Sequence, residues 1–278
     1  PQYRRGLDTY AWAAGSEIVD VPFDATGRCD WAKVPEDVSG LVVQTPNAFG
    51  GLESLAGVKA KLGDALLVVA TYPIALGLVE PPGSFGADIV VAEGQCLGLP
   101  MGFGGPLLGL FATKSDYLRQ LPGRVAGRTV DADGKTGYTM AAQTREQHIR
   151  RERATSNICT NSALCALAAT VYLASVGADG LRRVAQLNLA KAHYLADGVR
   201  RIRGAKLVFD APFFNEFVVR LAEQAGNARA RLAEAGFVVD DPAELEALGV
   251  GNALRFAVTE RRSRSELDRA LAVLGGKR

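Results

Sequence analysis

Histidine, cysteine, methionine and tryptophan are all scarce in this 278-residue chain. His148 and His193 are the only histidines, and Cys29, Cys96, Cys159 and Cys165 form no C-x-x-C pair. A zinc-type ligand set is not expected at that spacing. Thiols so scattered fit a reduced, cytoplasmic protein better than a disulfide framework. No unbroken apolar run reaches the ~18 residues of a membrane span, so none is expected. Charge of one sign is missing too: 32 Lys and Arg stand against 30 Asp and Glu, a net +2, with no long basic tract. That balance argues against nucleic acid as the main partner. The chain opens on Pro1-Gln2-Tyr3 without a starting Met or a signal-peptide core, so a piece cut from a longer protein is expected.

What is present is ordinary for a globular enzyme: 48% apolar and 22% charged residues, enough for one large or two small domains. Short apolar runs predict strands at 17–21, 40–44, 66–70 and 87–91. Helix-length connections between them imply parallel strands covered on both faces. A fifth strand at 107–112 follows a glycine-rich turn closely enough to pair antiparallel. From 121 to 142, Gly123, Gly127, Gly134 and Gly137 break any period, and a long irregular loop is expected. Helices follow at 162–175 and 178–201. Strands at 206–209, 216–221 and 253–258, with helices at 224–235 and 264–274, predict a small α+β unit, and Ser263 with Glu266 forms a capping box. The resulting plan is a large α/β part (1–160), connecting helices (161–203) and a C-terminal α+β domain (204–278).

One segment departs from this plan. Between Gln143 and Asn157 the only large apolar residue is Ile149, so the segment has no apolar stripe with which to anchor a helix. Its arginines, among them Arg145, Arg150 and Arg151, outnumber Glu146 and Glu152. They could pair with those glutamates or hold a carboxylate or phosphate. Thr155, Ser156, Asn157 and Thr160 could bond phosphate oxygens, or cap the helix that follows. Open α/β sheets bind ligands beyond the carboxyl ends of their strands. Asn47, Tyr72 and Gln95 follow three such ends, where turn geometry alone also accounts for Pro, Asn and Gly.

Long literal strings carry a resemblance. They are Pro81-Pro82-Gly83-Ser84-Phe85-Gly86-Ala87-Asp88, Glu93-Gly94-Gln95, Gly102-Phe103-Gly104-Gly105-Pro106, Pro122-Gly123-Arg124-Val125-Ala126-Gly127-Arg128, the 143–160 run, Asn188-Leu189-Ala190-Lys191-Ala192-His193, and Pro212-Phe213-Phe214-Asn215-Glu216-Phe217. In these the chain resembles the P-protein family of the glycine cleavage system, glycine dehydrogenase (decarboxylating), in its subunit 1 or N-terminal-half form. The resemblance implies a fold-type I pyridoxal-phosphate-dependent transferase-like fold, with an incomplete large domain and a small α+β domain. It also implies conversion of glycine and lipoylated H-protein to aminomethyl-lipoyl H-protein and carbon dioxide.

Such an enzyme needs a lysine to hold pyridoxal phosphate. In this fold that lysine follows the strand at 87–91, yet none occurs from Val91 to Pro106. Lys114 and Lys135 read as solvated loop lysines. Related chains often carry Asp where this one has Tyr72, a phenol that would not stabilise a pyridinium. The resemblance then implies a half-site in a hetero-oligomer, a heterotetramer, with the cofactor held covalently by P-protein subunit 2. Asn47, Gln95, Thr155, Ser156, Asn157 and Thr160 are the cofactor-binding candidates this chain would lend, and it has no catalytic lysine of its own. A non-catalytic scaffold for subunit 2 is the alternative. A free-standing aminotransferase-like enzyme is disfavoured by the missing lysine. Arg255 is expected as a surface strand residue.

Overall fold

The computed structural model describes residues 2–122, 125–141, 146–154 and 161–276. Helix α1 (Gln2–Ala14) buries none of its residues. The predicted strand at 17–21 does not form. That stretch has no ladder partners, and the first pairing is an isolated bridge between Phe23 and Cys29. Apolar residues set its prediction, but a strand also needs an edge to pair with.

Strands β1 (Gly40–Thr45), β2 (Leu66–Thr71) and β3 (Ile89–Glu93) are parallel, with the short helix α2 (Val58–Leu62) between β1 and β2. β4 (Gly109–Thr113) closes the sheet antiparallel to β3, as its short connection requires. The order is β1-β2-β3-β4. Leu41, Val43, Leu67 and Val69 form a core on one face with Leu55, Val58 and Ala87. The other face is not covered throughout, contrary to the sequence reading: Val42 and Phe111 are 50% and 44% exposed.

The stretch expected to be a loop at 121–142 contains a hairpin, β5 (Val125–Val130) with β6 (Thr136–Ala141). Asp131 Oδ1 accepts from the backbone N–H groups of Asp133 and Lys135, and Gly134 takes φ 76°. Asp-Gly is a hairpin signal, and the flanking Val, Thr and Tyr residues outweigh the glycines. Helix α3 (Gln147–Arg150) and a 3-10 turn at Arg151–Arg153 follow.

Helix α4 runs Ala163–Arg200 and breaks at Gly177, where φ is 63°. The two predicted helices are therefore its two arms. By length and composition α4 could cross a membrane. It has an 18-residue stretch with mean hydropathy 1.6, of which only 6% is buried. Interspersed Ser, Thr and Gly hid this from a search for unbroken runs. Its second arm is a core element: Ala192, Leu195 and Val199 pack on Phe217, Leu232, Phe256 and Leu267.

That core belongs to the C-terminal α+β part. β7 (Lys206–Leu207), β8 (Glu216–Arg220) and β9 (Leu254–Ala257) form an antiparallel sheet, with α5 (Ala225–Glu234), α6 (Pro242–Ala247) and α7 (Arg264–Leu274) around it. The capping box at Ser263 is present: its Oγ accepts from Glu266 N–H at 3.2 Å, and Glu266 Oε2 accepts from Ser263 N–H at 2.7 Å. Ser263→Ala should cost about 1 kcal/mol, read as a lowered urea midpoint at unchanged slope. No change in midpoint would show that the cap contributes nothing to folding.

Candidate functional site

The carboxyl ends of β2 and β3 face a cleft of about 820 Å³. Tyr72, Gln95, Cys96 and Tyr172 line one wall; Asp240, Arg255, Glu260 and Arg262 line the other, which comes from the C-terminal part. The two walls are held together by the loop at 46–52. Asn47 ties this loop: its Nδ2 donates to Gly27 O (2.8 Å) and Glu53 Oε1 (2.7 Å), while its Oδ1 accepts from Phe49 N–H (2.9 Å) and Gly51 N–H (3.0 Å). Both amide protons and both lone pairs are thus occupied within the chain. Burial pushes the Glu53 carboxyl above its usual range, against these hydrogen bonds.

The loop grips the C-terminal part through backbone. Leu52 N–H donates to Pro212 O at 2.8 Å, and Gly51 bridges to Phe213. Phe49 packs at 4.6 Å on Phe209 and 4.9 Å on Phe23. Arg255 completes the grip and is not the surface residue expected. Its side chain is 16% exposed, its Nε lies 2.6 Å from Asp240, and its Nη1 donates to Ala48 O at 2.9 Å.

Glu93 closes the base of the lysine-free turn. Its Oε1 accepts from the backbone N–H groups of Gln95 (2.9 Å) and Leu108 (2.8 Å). A carboxylate therefore organises this turn. Gln95 gives its Nε2 to Leu99 O at 3.2 Å and reaches the cleft, whereas Asn47 does not line it. Tyr72 sits at the end of β2, and burial keeps its phenol neutral far above the usual range. Burial likewise pushes the Cys96 thiol up to about 11.

No lysine lines this cleft among the described residues. Lys191 gives its Nζ to the backbone oxygen of Glu260. Lys114 is 43% exposed, and it also pairs with buried Asp88 at 2.6 Å, away at the start of β3. Lys135 is exposed. With no lysine among its described lining and a neutral phenol beyond β2, the cleft does not fit covalently held pyridoxal phosphate.

Thr155, Ser156, Asn157 and Thr160 lie outside the described residues, as does Arg145. Within the rest of their run, Glu146 lies 3.3 Å from His148, and Glu152 lies 3.9 Å from Arg153. Of the six candidates only Asn47 and Gln95 lie among the described residues, and only Gln95 lines the cleft. Sequence reasoning missed Glu93, Tyr172 and Glu260. Glu93 stood in a quoted string, but its spacing to Leu108 N–H exists only in the folded turn.

Residues 1–274 match the family model for the glycine cleavage system P-protein. The chain belongs to the glycine cleavage system P-protein family. Among its relatives, the probable glycine dehydrogenase (decarboxylating) subunit 1 of Thermomicrobium roseum is 48% identical over 99% of this chain, and that of Thermotoga maritima 46% over 99%. This P-protein family chain spans 62% of the length of each. The crystal structure of a glycine decarboxylase (P-protein) of the glycine cleavage system, in inhibitor-bound form, superposes with a TM-score of 0.92. It is 41% identical, covering 99% of this chain and 63% of that one. A sphingosine-1-phosphate lyase of Burkholderia pseudomallei shares only the fold, with a TM-score of 0.67 and 18% identity over 97% of this chain and 60% of its own. The fold is the fold-type I pyridoxal-phosphate-dependent one.

Proposed function

We propose that this chain is the lysine-lacking subunit of a two-subunit glycine decarboxylase. The assembled enzyme would convert glycine and lipoylated H-protein to aminomethyl-lipoyl H-protein and carbon dioxide in the cytoplasm, with pyridoxal phosphate held by subunit 2. The observation that carries this reading is the turn after β3: it has no lysine, and Glu93 occupies its base through two backbone hydrogen bonds. Leu164, Leu167 and Val171, at helical spacing on α4, are 79%, 59% and 57% exposed. An apolar stripe of that kind supports burial against a partner, and a heterotetramer would provide it.

This chain's own residues then have shaping roles. The Asn47 knot and Arg255 hold the two walls at a fixed separation, and Tyr72 presents a neutral, half-buried phenol. Thr155, Ser156, Asn157 and Thr160 remain the proposed contacts to the partner's cofactor. The scaffold reading is favoured by one observation, the internal saturation of the Asn47 amide.

Borohydride reduction of the co-purified complex with pyridoxal phosphate, followed by peptide mapping, tests the assignment. Pyridoxyl label is expected on subunit 2 alone; stoichiometric label on one lysine of this chain would overturn it. Asn157→Ala in the reconstituted complex separates lending from scaffolding. Loss of a charge-assisted hydrogen bond predicts a drop in glycine–bicarbonate exchange of roughly one to two decades. A mere cap predicts lower thermal stability with exchange unchanged.

A further inference from the structure

We propose that the cleft between the sheet and the C-terminal part binds a primary alkyl- or arylammonium ion, with Glu260 as its counter-ion. The walls of this cleft supply hydrogen-bond acceptors and aromatic surface without a lysine. Glu260 Oε2 accepts from Asn188 Nδ2 at 3.0 Å, and its other oxygen has no partner among the described residues. Asn188 is itself fully buried and held by Val184 O at 2.8 Å, so it fixes the carboxylate against the wall. The phenols of Tyr72 and Tyr172, the Gln95 amide and the Cys96 thiol share the cleft with it. Burial first, and the negative charge of Glu260 in smaller part, hold Tyr72, Tyr172 and Cys96 protonated.

The cations that line the cleft do not quench this carboxylate. Arg255 is bound to Asp240 and Glu244, Arg262 to Glu266, and Arg261 is exposed to water. Lys191 is fastened to the backbone oxygen of Glu260. An ammonium has three donors and no acceptor. It matches one carboxylate oxygen, two phenol oxygens and an amide oxygen, and tyrosine faces add cation–π attraction. Leu99, Met101 and Val238 line the same space and would cover an apolar stem. A concave, partly apolar cleft with a few polar groups is the usual form of a small-molecule site. The proposal is independent of the decarboxylase reading, since it requires neither cofactor nor subunit 2.

Isothermal titration of the full-length protein with hexylammonium chloride tests it, with hexanol and hexanoate as neutral and anionic controls. Saturable binding of one hexylammonium per chain is expected, with neither control competing. Glu260→Gln keeps an oxygen for Asn188, and should weaken binding about tenfold or more by removing a charge-assisted hydrogen bond. Tyr172→Leu should weaken it less, by removing one acceptor and one aromatic face. Circular dichroism melting of both variants shows whether they are folded. Absence of saturable heat, equal binding of hexanol, or undiminished affinity in folded Glu260→Gln would each overturn the proposal.

Discussion

Alanine at position 50 is expected to part the two walls of the cleft. Gly50 has φ 84°, and a Cβ there would stand 1.9 Å from the backbone oxygen of Glu216 and 2.3 Å from its carbonyl carbon. Neither atom belongs to a side chain that can turn away. Glu216 begins β8, so relief requires the whole C-terminal sheet to move from the 46–52 loop. The left-handed conformation costs about 1–2 kcal/mol for a residue with a Cβ, and overpacking adds typically 1–3 more. About 3 kcal/mol in total should lower Tm by roughly 6–12 °C in a chain of this size. Gly57 is the internal control. Its φ is 78°, yet nothing lies within 4 Å of a Cβ built there. Gly57→Ala should therefore show the backbone strain alone, about 1–2 kcal/mol. Equal losses from the two substitutions would mean that the loop is not clamped against β8.

The second large effect is expected at Asp88, whose side chain is 3% exposed. Oδ2 accepts from Leu67 N–H and Lys59 Nζ, each at 2.8 Å, and Oδ1 accepts from Lys114 Nζ at 2.6 Å. Burial pushes the carboxyl up, but the Leu67 N–H and then the two lysines outweigh it and hold it at about 2, against 3.8 for the free group. A depressed carboxyl stabilises the fold above its unfolded value and loses that contribution as pH falls through the folded one. The stabilisation, about 2 kcal/mol by linkage, should be complete above pH ~4 and disappear towards pH ~2. Asp88→Asn leaves two ammonium groups without their counter-ion. Lys114 and Lys59 are 43% and 23% exposed and can turn to water, so the loss should be about 3 kcal/mol rather than the upper end for buried pairs. Chemical denaturation between pH 2 and 7 measures it. The wild type should lose stability below pH ~4 while the variant's profile stays flatter. Parallel profiles would show that the titrating group is elsewhere.

Much of this was legible in the sequence because it depends on local pattern. The strands at 40–45, 66–71 and 89–93 are short runs of Leu, Ile, Val and Ala that match the period of a pleated, buried surface. The antiparallel turn of β4, the break in α4 at a glycine and the Ser263 capping box are likewise properties of a few consecutive residues. The missing lysine was also readable, since an absent amine is absent in any conformation. What sequence alone could not decide are relations between distant residues. Asn47 looks slightly more like a ligand contact than a turn residue until Gly27 and Glu53 close on its amide. Lys114 looks like a solvated lysine until the antiparallel pairing of β4 brings it to Asp88, 26 residues earlier. Arg255 looks like a surface residue until a loop more than 200 residues away offers it the Ala48 carbonyl. Hydrophobic periodicity specifies which residues leave water, but not which polar groups they carry in with them. Those groups must find partners once inside, and only the tertiary structure decided which.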